Sequence, residues 1–410
     1  MTKLGVLFSV LGVGAGCIPA FAQKQLPNII VMLSDDQGWG DLGFTGNTFV
    51  QTPNIDRIAH EGTILENFYV CPVSSPTRAE FLTGRYHVRS GVNSTTGGGE
   101  RFNLGEKTIA EYFREAGYAT SLFGKWHSGT QYPYHPNARG FEEFYGFCSG
   151  HWGNYWNPVL EHNGEIISGE GFIIDDLTDK ALDYIRDHKE HPFFMFLSYN
   201  TPHSPMQVPD SWWNRVKDRT LSQRATFPEQ EDTTFTKAAL ALAENLDWNI
   251  GRVLSLLHSL DLEQETIVIY FSDNGPNSFR WNGGMKGRKG STDEGGVRSP
   301  FCIRWPGHIR KGAVETQLSG AIDLIPTLLG LAGIEYTPLR KLDGIDWGQR
   351  LLDEKAPAMD RVLYSYWGGK TSVRISYYLL DAEDHLYKTD IDREQRKDVS
   401  DKEPEIYERM

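Results

Sequence analysis

Five short apolar runs set the architecture: "NIIVML" (28–33), "YATSLF" (118–123), "PFFMFLSY" (192–199), "TIVIYF" (266–271) and "PFCIRW" (300–305), each bounded by turn or polar residues. Such runs read as strands buried on both faces. Between them lie helix-period patterns, "EKTIAEYFREAG" ending at Gly117, "DDLTDKALDYIRDH" and "FTKAALALAENLDWNIGRVLSLLHSL". Buried strands alternating with helices predict an α/β fold, a large and mainly parallel sheet flanked by helices. From about residue 360 the texture changes to alternating segments, "RVLYSYW", "TSVRISYYLLD" and "HLYKTD", which predict a small C-terminal antiparallel subdomain. The expected organisation is an α/β domain over 27–355 followed by the subdomain over 360–410.

Residues 1–22 read as a secretory signal: Lys3, an apolar stretch from Leu4 to Ile18, then Ala20-Phe21-Ala22 with cleavage before Gln23. Cys17 offers a lipoprotein alternative, but Gly14 stands where a leucine-like residue is needed, which argues against lipidation. Beyond residue 22 no apolar run approaches the roughly 18 residues of a membrane span. An exported protein, periplasmic or secreted and without a membrane span, is the expectation. Cys71, Cys148 and Cys302 then remain, too sparse for a disulfide framework. A net charge of −13 makes the chain a poor non-specific binder of polyanions, and no nucleic-acid partner is expected. An anionic substrate therefore requires a compact local cluster of cations.

Open parallel sheets bind ligands beyond the carboxyl ends of their strands. The first run leads into Ser34-Asp35-Asp36-Gln37, the second into Gly124-Lys125-Trp126-His127, the third into Asn200-Thr201-Pro202-His203 and the fourth into Ser272-Asp273-Asn274-Gly275. Singly, each is an ordinary turn or a hydrogen-bonded histidine. Together, Asp35, Asp36, Asp273 and Asn274 offer oxygen donors only, which suits a hard cation such as Ca²⁺ or Mg²⁺. Their carboxylates would repel one another without a cation between them, so one divalent metal is expected. The stretch "CPVSSPTRAEFLTGR" (71–85) adds a short helix with Pro76 near its start and Gly84 at its end. Ser74 and Ser75 lie at its positive end, as an anion site or as a simple cap.

At this stretch the chain resembles the sulfatase family. Sulfatases carry Cys/Ser-x-Pro-x-Arg followed by Thr-Gly-Arg, and here Ser74-Ser75-Pro76-Thr77-Arg78 precedes Thr83-Gly84-Arg85. Cys71 does not fit, because Val73 and Ser75 occupy the positions for proline and arginine. "NIIVMLSDDQGWGDLG", "TPNIDRIAHEG", "GYATSLFGKWHSG", "SDNG", "GRKGSTDEGGVRSPF" and "AIDLIPTLLGLAG" resemble further segments of the family in the expected order.

The resemblance implies an alkaline-phosphatase-like fold and hydrolysis of sulfuric esters. It places Ca²⁺ on Asp35, Asp36, Asp273 and Asn274 with Ser74 beside it, and Arg78, Lys125, His127, His203 and Lys289 around the sulfate. It also implies that a maturation enzyme oxidises Ser74 to formylglycine. Many relatives have cysteine at this position, whereas serine marks a bacterial branch. His203 with Lys289 is the expected proton donor to the leaving alcohol, and His127 the expected base. Export and the serine-type site point by resemblance to a sulfated mono-, oligo- or polysaccharide, with galactose or N-acetylgalactosamine sulfate favoured.

"NSTTGGGERFN" (93–103) and "GFCSGHWGNYWNP" (146–158) are expected to shape the substrate pocket, with Trp152 and Trp156 either stacking on sugar or simply packing. Arg280, Lys286 and Arg288 are expected in a solvated basic loop. Two rival functions stand beside this reading. A two-metal phosphatase or phosphodiesterase of the same superfamily would present a histidine where Asn274 stands, and a non-catalytic binder of sulfated glycans would leave Ser74 unoxidised.

Overall fold

All five apolar runs become strands of one ten-stranded sheet. The computed structural model describes residues 1, 2 and 26–410; positions 3–22 of the expected signal segment, with Lys3, Cys17 and the Ala22 cleavage point, lie outside them. Across the sheet the strands are Ala313–Glu315, Thr63–Leu65, Phe301–Arg304, Thr266–Ser272, Asn28–Ser34, Phe193–Ser198, Ala119–Lys125, Glu143–Phe147, Val159–His162 and Glu165–Ser168. The five from Thr266–Ser272 to Glu143–Phe147 run parallel, whereas Phe301–Arg304 and the final hairpin are antiparallel to their neighbours. The expected α/β architecture is present, parallel at its centre and mixed at both edges.

The central strand shows why its run lacks polar alternation. Ile29, Val31 and Leu33 point into one core and Ile30 and Met32 into the other, every one fully buried. Phe194 and Phe196, against Phe193, Met195 and Leu197, repeat the division next door. Each such side chain removed from water stabilises the fold by roughly 1.5–3 kcal/mol. The 27-residue helix Thr233–Ser259 covers the second face with Leu242, Leu246, Ile250, Val253 and Leu257. Asp232 starts it by accepting from the Thr234 and Phe235 amides. Helices Ser74–Thr83, Ile109–Glu115 and Leu324–Ala332 pack on the first face.

The C-terminal strands Leu363–Trp367, Lys370–Ile375, Tyr378–Leu380 and Leu386–Lys388 form the expected separate antiparallel sheet. Buried Arg374 fastens it to the main body by donating to Glu294 Oε1 (3.1 Å) and to the Thr292 carbonyl (2.9 Å). Among the described residues no helix is long and apolar enough to cross a membrane.

Candidate active site

Strand register gathers the four polar strand ends. Ser34 pairs with Ser272 on one side, Leu33 with Ser198 on the other, and Ser198 in turn with Gly124. The carboxyl ends of four parallel strands thus share one edge. Asp35-Asp36, Asp273-Asn274, Lys125 with His127, and His203 follow directly from them. Gly124, at φ +112°, is required there, because a Cβ would stand 1.9 Å from the Ser198 carbonyl oxygen. Asp36 and His127 adopt left-handed backbone, at φ 61° and 56°, an arrangement costly for residues with side chains and kept where the surroundings enforce it.

Ser74 opens helix Ser74–Thr83, which ends at Gly84 in the left-handed conformation. Its Oγ accepts from Arg78 Nε at 2.9 Å, one helical turn on, and lies 3.1 Å from His127 Nδ1. The Arg78 guanidinium is fully buried and committed elsewhere as well. Nη1 donates to the Lys125 carbonyl (2.9 Å) and Ser198 Oγ (2.6 Å), and Nη2 to Asp273 Oδ2 (3.1 Å). One cation therefore ties the serine helix to three strand ends. The His127 tautomer follows from its neighbours. Nε2 lies 2.8 Å from the Thr95 carbonyl oxygen, which only accepts, so Nε2 carries the proton and Nδ1 turns its lone pair to Ser74 Oγ. Burial, with Lys125 and Arg78 close by, depresses the His127 pKa well below the usual histidine value and keeps the ring neutral. Gly150 makes room for this ring, since a Cβ there would stand 2.1 Å from Nε2.

The carboxylates pair with the remaining cations. Lys125 Nζ donates to Asp35 Oδ2 at 2.6 Å, and Lys289 Nζ to Asp36 Oδ1 at 2.5 Å. Asn274 Nδ2 also donates to Asp36 Oδ1 (2.8 Å), while the Asp36 amide donates to Asp273 Oδ1 (3.2 Å). Burial alone would raise the Asp35 pKa, but Lys125, His203, Arg78 and Lys289 hold it well below the usual carboxylate range. Burial and the charge of Asp35 push Asp273 up to about 6, against the pull of Arg78 and Lys125. Burial lowers the Lys125 pKa, aided by Arg78 and Lys289 and opposed by Asp35. For Lys289, Asp36, Asp35 and Asp273 outweigh burial and raise it.

Three buried oxygens in this cluster have no hydrogen-bond partner: Asp35 Oδ1, Asp36 Oδ2 and Asn274 Oδ1. His203 Nε2 faces Asp36 Oδ2 at 3.6 Å, too far for a hydrogen bond. Asp35, Asp36 and His203 present ligand atoms within 4.8 Å of one another. Carboxylate oxygens only accept, and orphaned buried acceptors are costly. A hard divalent cation therefore fits the donor set.

The site opens into a pocket of about 620 Å³, whose floor and sides include Ser74, Lys125, His127, His203 and Lys289. Asp35, Asp36, Arg78, Asp273 and Asn274 sit beneath it, buried. Both glycine-bearing stretches contribute to the rim, through Thr95 and Thr96 and through Ser149, Gly150 and His151. Trp152 and Trp156 do not line it. Trp152 stacks on Phe147 (centroids 5.0 Å apart, planes 20° apart), and Trp156 packs on Phe172 (5.5 Å). Two lining residues lay in segments the sequence had marked but were not singled out as site residues. His151 packs edge-on to His203 (5.3 Å), and its pKa is lowered by burial and by His203 and Lys125. Trp367 arrives from the C-terminal sheet, ahead of a turn whose Gly368 and Gly369 both have positive φ. Its sequence signals, the alternating segment "RVLYSYW" and the Gly-Gly turn after it, mark a hairpin and not a pocket residue.

Arg280 corrects the solvated-loop expectation. It is buried, donating through Nε and Nη2 to Asp41 (2.9 and 2.6 Å) and through Nη2 to the Asp36 carbonyl (2.9 Å), so it braces the carboxylate loop from behind. Lys286 and Arg288 are partly exposed, as expected of that loop.

A family model described as Sulfatase matches residues 27–334, and one described as N-sulphoglucosamine sulphohydrolase, C-terminal, matches residues 289–399. The N-acetylgalactosamine-6-sulfatase of Mus musculus is 32% identical over 402 residues, spanning 89% of this chain and 72% of that protein. An uncharacterized sulfatase of Escherichia coli, YdeN, is 30% identical over 407 residues, spanning 85% and 70%. The crystal structure of Ps i-CgsB in complex with k-i-k-neocarrahexaose shares 29% identity and a TM-score of 0.83, covering 94% of this chain and 91% of that one. The phosphonate monoester hydrolase of Agrobacterium radiobacter, 18% identical with a TM-score of 0.71, shares the fold.

Proposed function

The chain belongs to the sulfatase family and is a sulfuric ester hydrolase, and from that premise we propose that it removes O-sulfate from a carbohydrate by way of formylglycine at position 74 and one calcium ion. N-acetylgalactosamine or galactose sulfate is the favoured substrate, in keeping with relatives named N-acetylgalactosamine-6-sulfatase and a structural neighbour solved with a neocarrahexaose. Export, to the periplasm or beyond, and a formylglycine-generating partner belong to the same proposal. The observation that carries it is the seat of Ser74 Oγ, between Arg78 Nε and His127 Nδ1 in the pocket where three carboxylate and amide oxygens lack partners.

An unmodified serine attacking sulfur would end as a stable serine sulfate. Formylglycine hydrates to a geminal diol, which offers one oxygen for attack and a second that closes to the carbonyl as sulfate leaves. Asp35, Asp36, Asp273 and Asn274, with residue 74, would hold the ion; when bound it supplies a Lewis acid for a sulfate oxygen.

The chain's own groups do the rest. Arg78, fixed by three other acceptors, presents a pre-oriented positive charge to the oxygen of residue 74. Lys125 and Lys289 line the pocket where sulfate charge must be balanced. His127 Nδ1 is placed to take the proton of residue 74's hydroxyl, being neutral and aimed at it. His203 donates Nδ1–H to the Ser204 carbonyl (2.6 Å), which leaves Nε2, turned toward Asp36, for proton traffic with the leaving alcohol beside Lys289. Trp367 and His151, at the rim, are the groups offered to the sugar, in place of Trp152 and Trp156.

The test is the mass of the Ser74 peptide together with sulfate release from N-acetylgalactosamine 6-sulfate and galactose sulfates. Conversion removes two hydrogens, about 2 Da. Converted enzyme that releases no sulfate from any of these sugars would refute the substrate class, and unconverted, inactive native protein that still binds them would make it a glycan binder.

A further inference from the structure

The loop that carries Lys289 into the active pocket also lines a second cavity, of about 270 Å³. Arg288 and Lys289 are consecutive, with Cα atoms about 3.8 Å apart, yet Lys289 faces the first pocket and Arg288 the second. Arg280 lines this second cavity while its Nη2 donates to the Asp36 carbonyl, so the two cavities adjoin across the carboxylate loop.

Its walls are of two kinds. Phe227, 51% exposed, and Phe279 supply aromatic faces, with Met285 between polar neighbours. Four cations line it, and three are balanced: Arg280 by Asp41, Lys286 by Asp293 (3.4 Å) and Arg396 by Glu394. Arg288 is different. Its guanidinium lies 4.8 Å from the Phe279 ring centroid, donates once to the Asn277 carbonyl (3.0 Å), and has no carboxylate partner among the described residues. In a chain of net charge −13, a guanidinium stacked on an aromatic ring and left without an anion, beside a second exposed ring, is suited to an anionic sugar. The rings take an apolar sugar face and the planar fork takes carboxylate or sulfate oxygens.

We infer that this cavity binds a second anionic sugar of the same substrate chain, near the sugar whose sulfate is removed, so that the enzyme acts on an oligomer in preference to a free monosaccharide. This rests on the carbohydrate-sulfatase reading and adds a site to it.

The experiment is calorimetric binding of three probes, N-acetylgalactosamine 6-sulfate, a κ-carrageenan tetrasaccharide (sulfate only) and a chondroitin 6-sulfate tetrasaccharide (carboxylate and sulfate), to wild type, Arg288→Ala and Phe227→Ala. Losing a charge-assisted hydrogen bond should weaken a tetrasaccharide about tenfold in Arg288→Ala. Phe227→Ala, on a separate segment, should weaken it severalfold, and the monosaccharide should change less than twofold in either. An effect on the chondroitin probe alone assigns the anion as carboxylate, and an effect on the carrageenan probe assigns it as sulfate. The inference is overturned if wild type binds neither tetrasaccharide more tightly than the monosaccharide, if Phe227→Ala leaves both tetrasaccharides unchanged, or if Arg288→Ala weakens the monosaccharide equally by disturbing Lys289. Release of sulfate from 4-nitrophenyl sulfate by the same preparations tests the sulfatase reading separately.

Discussion

Asp35 Oδ1, Asp36 Oδ2 and Asn274 Oδ1 are buried acceptors without donors, and a cation among them should register directly in the stability of the fold. Each orphaned buried acceptor costs about 1–3 kcal/mol, so roughly 3–9 kcal/mol of strain is available for a bound ion to relieve. A ligand held only by the folded state stabilises it by RT ln(1 + [L]/Kd), about 2.7 kcal/mol at a hundred times Kd. Urea unfolding in calcium chloride should therefore give a higher midpoint than in chelator, with the increment growing logarithmically with calcium. Asn274→Ala removes one neutral ligand oxygen while leaving the three carboxylates, so it should raise the calcium concentration needed for the same increment by tenfold or more, the effect of losing about 1.4 kcal/mol of binding. Zinc, which prefers nitrogen and sulfur donors, should not reproduce the calcium response at equal free concentration. Identical midpoints in calcium and chelator, or an Asn274→Ala protein with the wild-type calcium response, would refute the assignment of these oxygens to an ion. The readout needs no turnover and stands apart from the state of Ser74.

His203→Ala should cost the 10²–10⁴-fold typical of lost acid catalysis on a sugar sulfate and much less on an aryl sulfate, whose leaving group needs no proton; equal losses in kcat count against protonation by His203. Arg280→Ala breaks a buried pair and strands Asp41, which should lower stability by about 3–5 kcal/mol in urea titrations, and a loss below 1 kcal/mol would show that Asp41 finds another partner. Burial pushes the Glu80 carboxyl up to about 8, against hydrogen bonds from Cys71 and the His87 amide. An acid with a raised folded pKa favours folding fully below its unfolded value, near 4.5, and that contribution fades as pH rises through 8. Glu80→Gln should thus match wild type at pH 4 and exceed it by on the order of 5 kcal/mol above pH 8; parallel pH profiles of the urea midpoint would rule this out.

The buried chemistry was legible in the sequence for a geometric reason. Parallel strands in register bring their carboxyl ends to one edge, so Asp35, Lys125, His203 and Asp273, 238 positions apart from first to last, need only follow four readable apolar runs to meet. Pro76 and Gly84 made the helix legible and left Ser74 and Ser75 alike at its start; Ser74 itself was legible only through the resemblance of Ser74-Ser75-Pro76-Thr77-Arg78 to the sulfatase segment. What escaped depends on packing that no local pattern carries. Trp367 reaches the pocket because Arg374 and the buried His87, whose Nε2 lies 3.1 Å from the Tyr366 carbonyl oxygen, pin the C-terminal hairpin to the main body. Arg280 looked solvated in a glycine-rich loop, and is buried only because Asp41, 239 positions earlier, neutralises it. The hairpin Val159–His162 and Glu165–Ser168 did carry a turn signal, Asn163-Gly164, with both residues at positive φ, but its strands are largely exposed at the sheet edge and lack the apolar alternation that identifies a buried face. The division has a chemical consequence. Asp35, Lys125, His127 and Asp273, assigned to the ion and the sulfate chemistry in the proposed function, follow strands of the sheet, with Ser74 on a helix and Lys289 on a loop. The pocket-lining residues Thr95, Thr96, His151 and Trp367, the last two assigned there to the sugar, are instead delivered by loops and a second sheet. Exchanging those loops should change which sugar is accepted while leaving the ion and the sulfate in place.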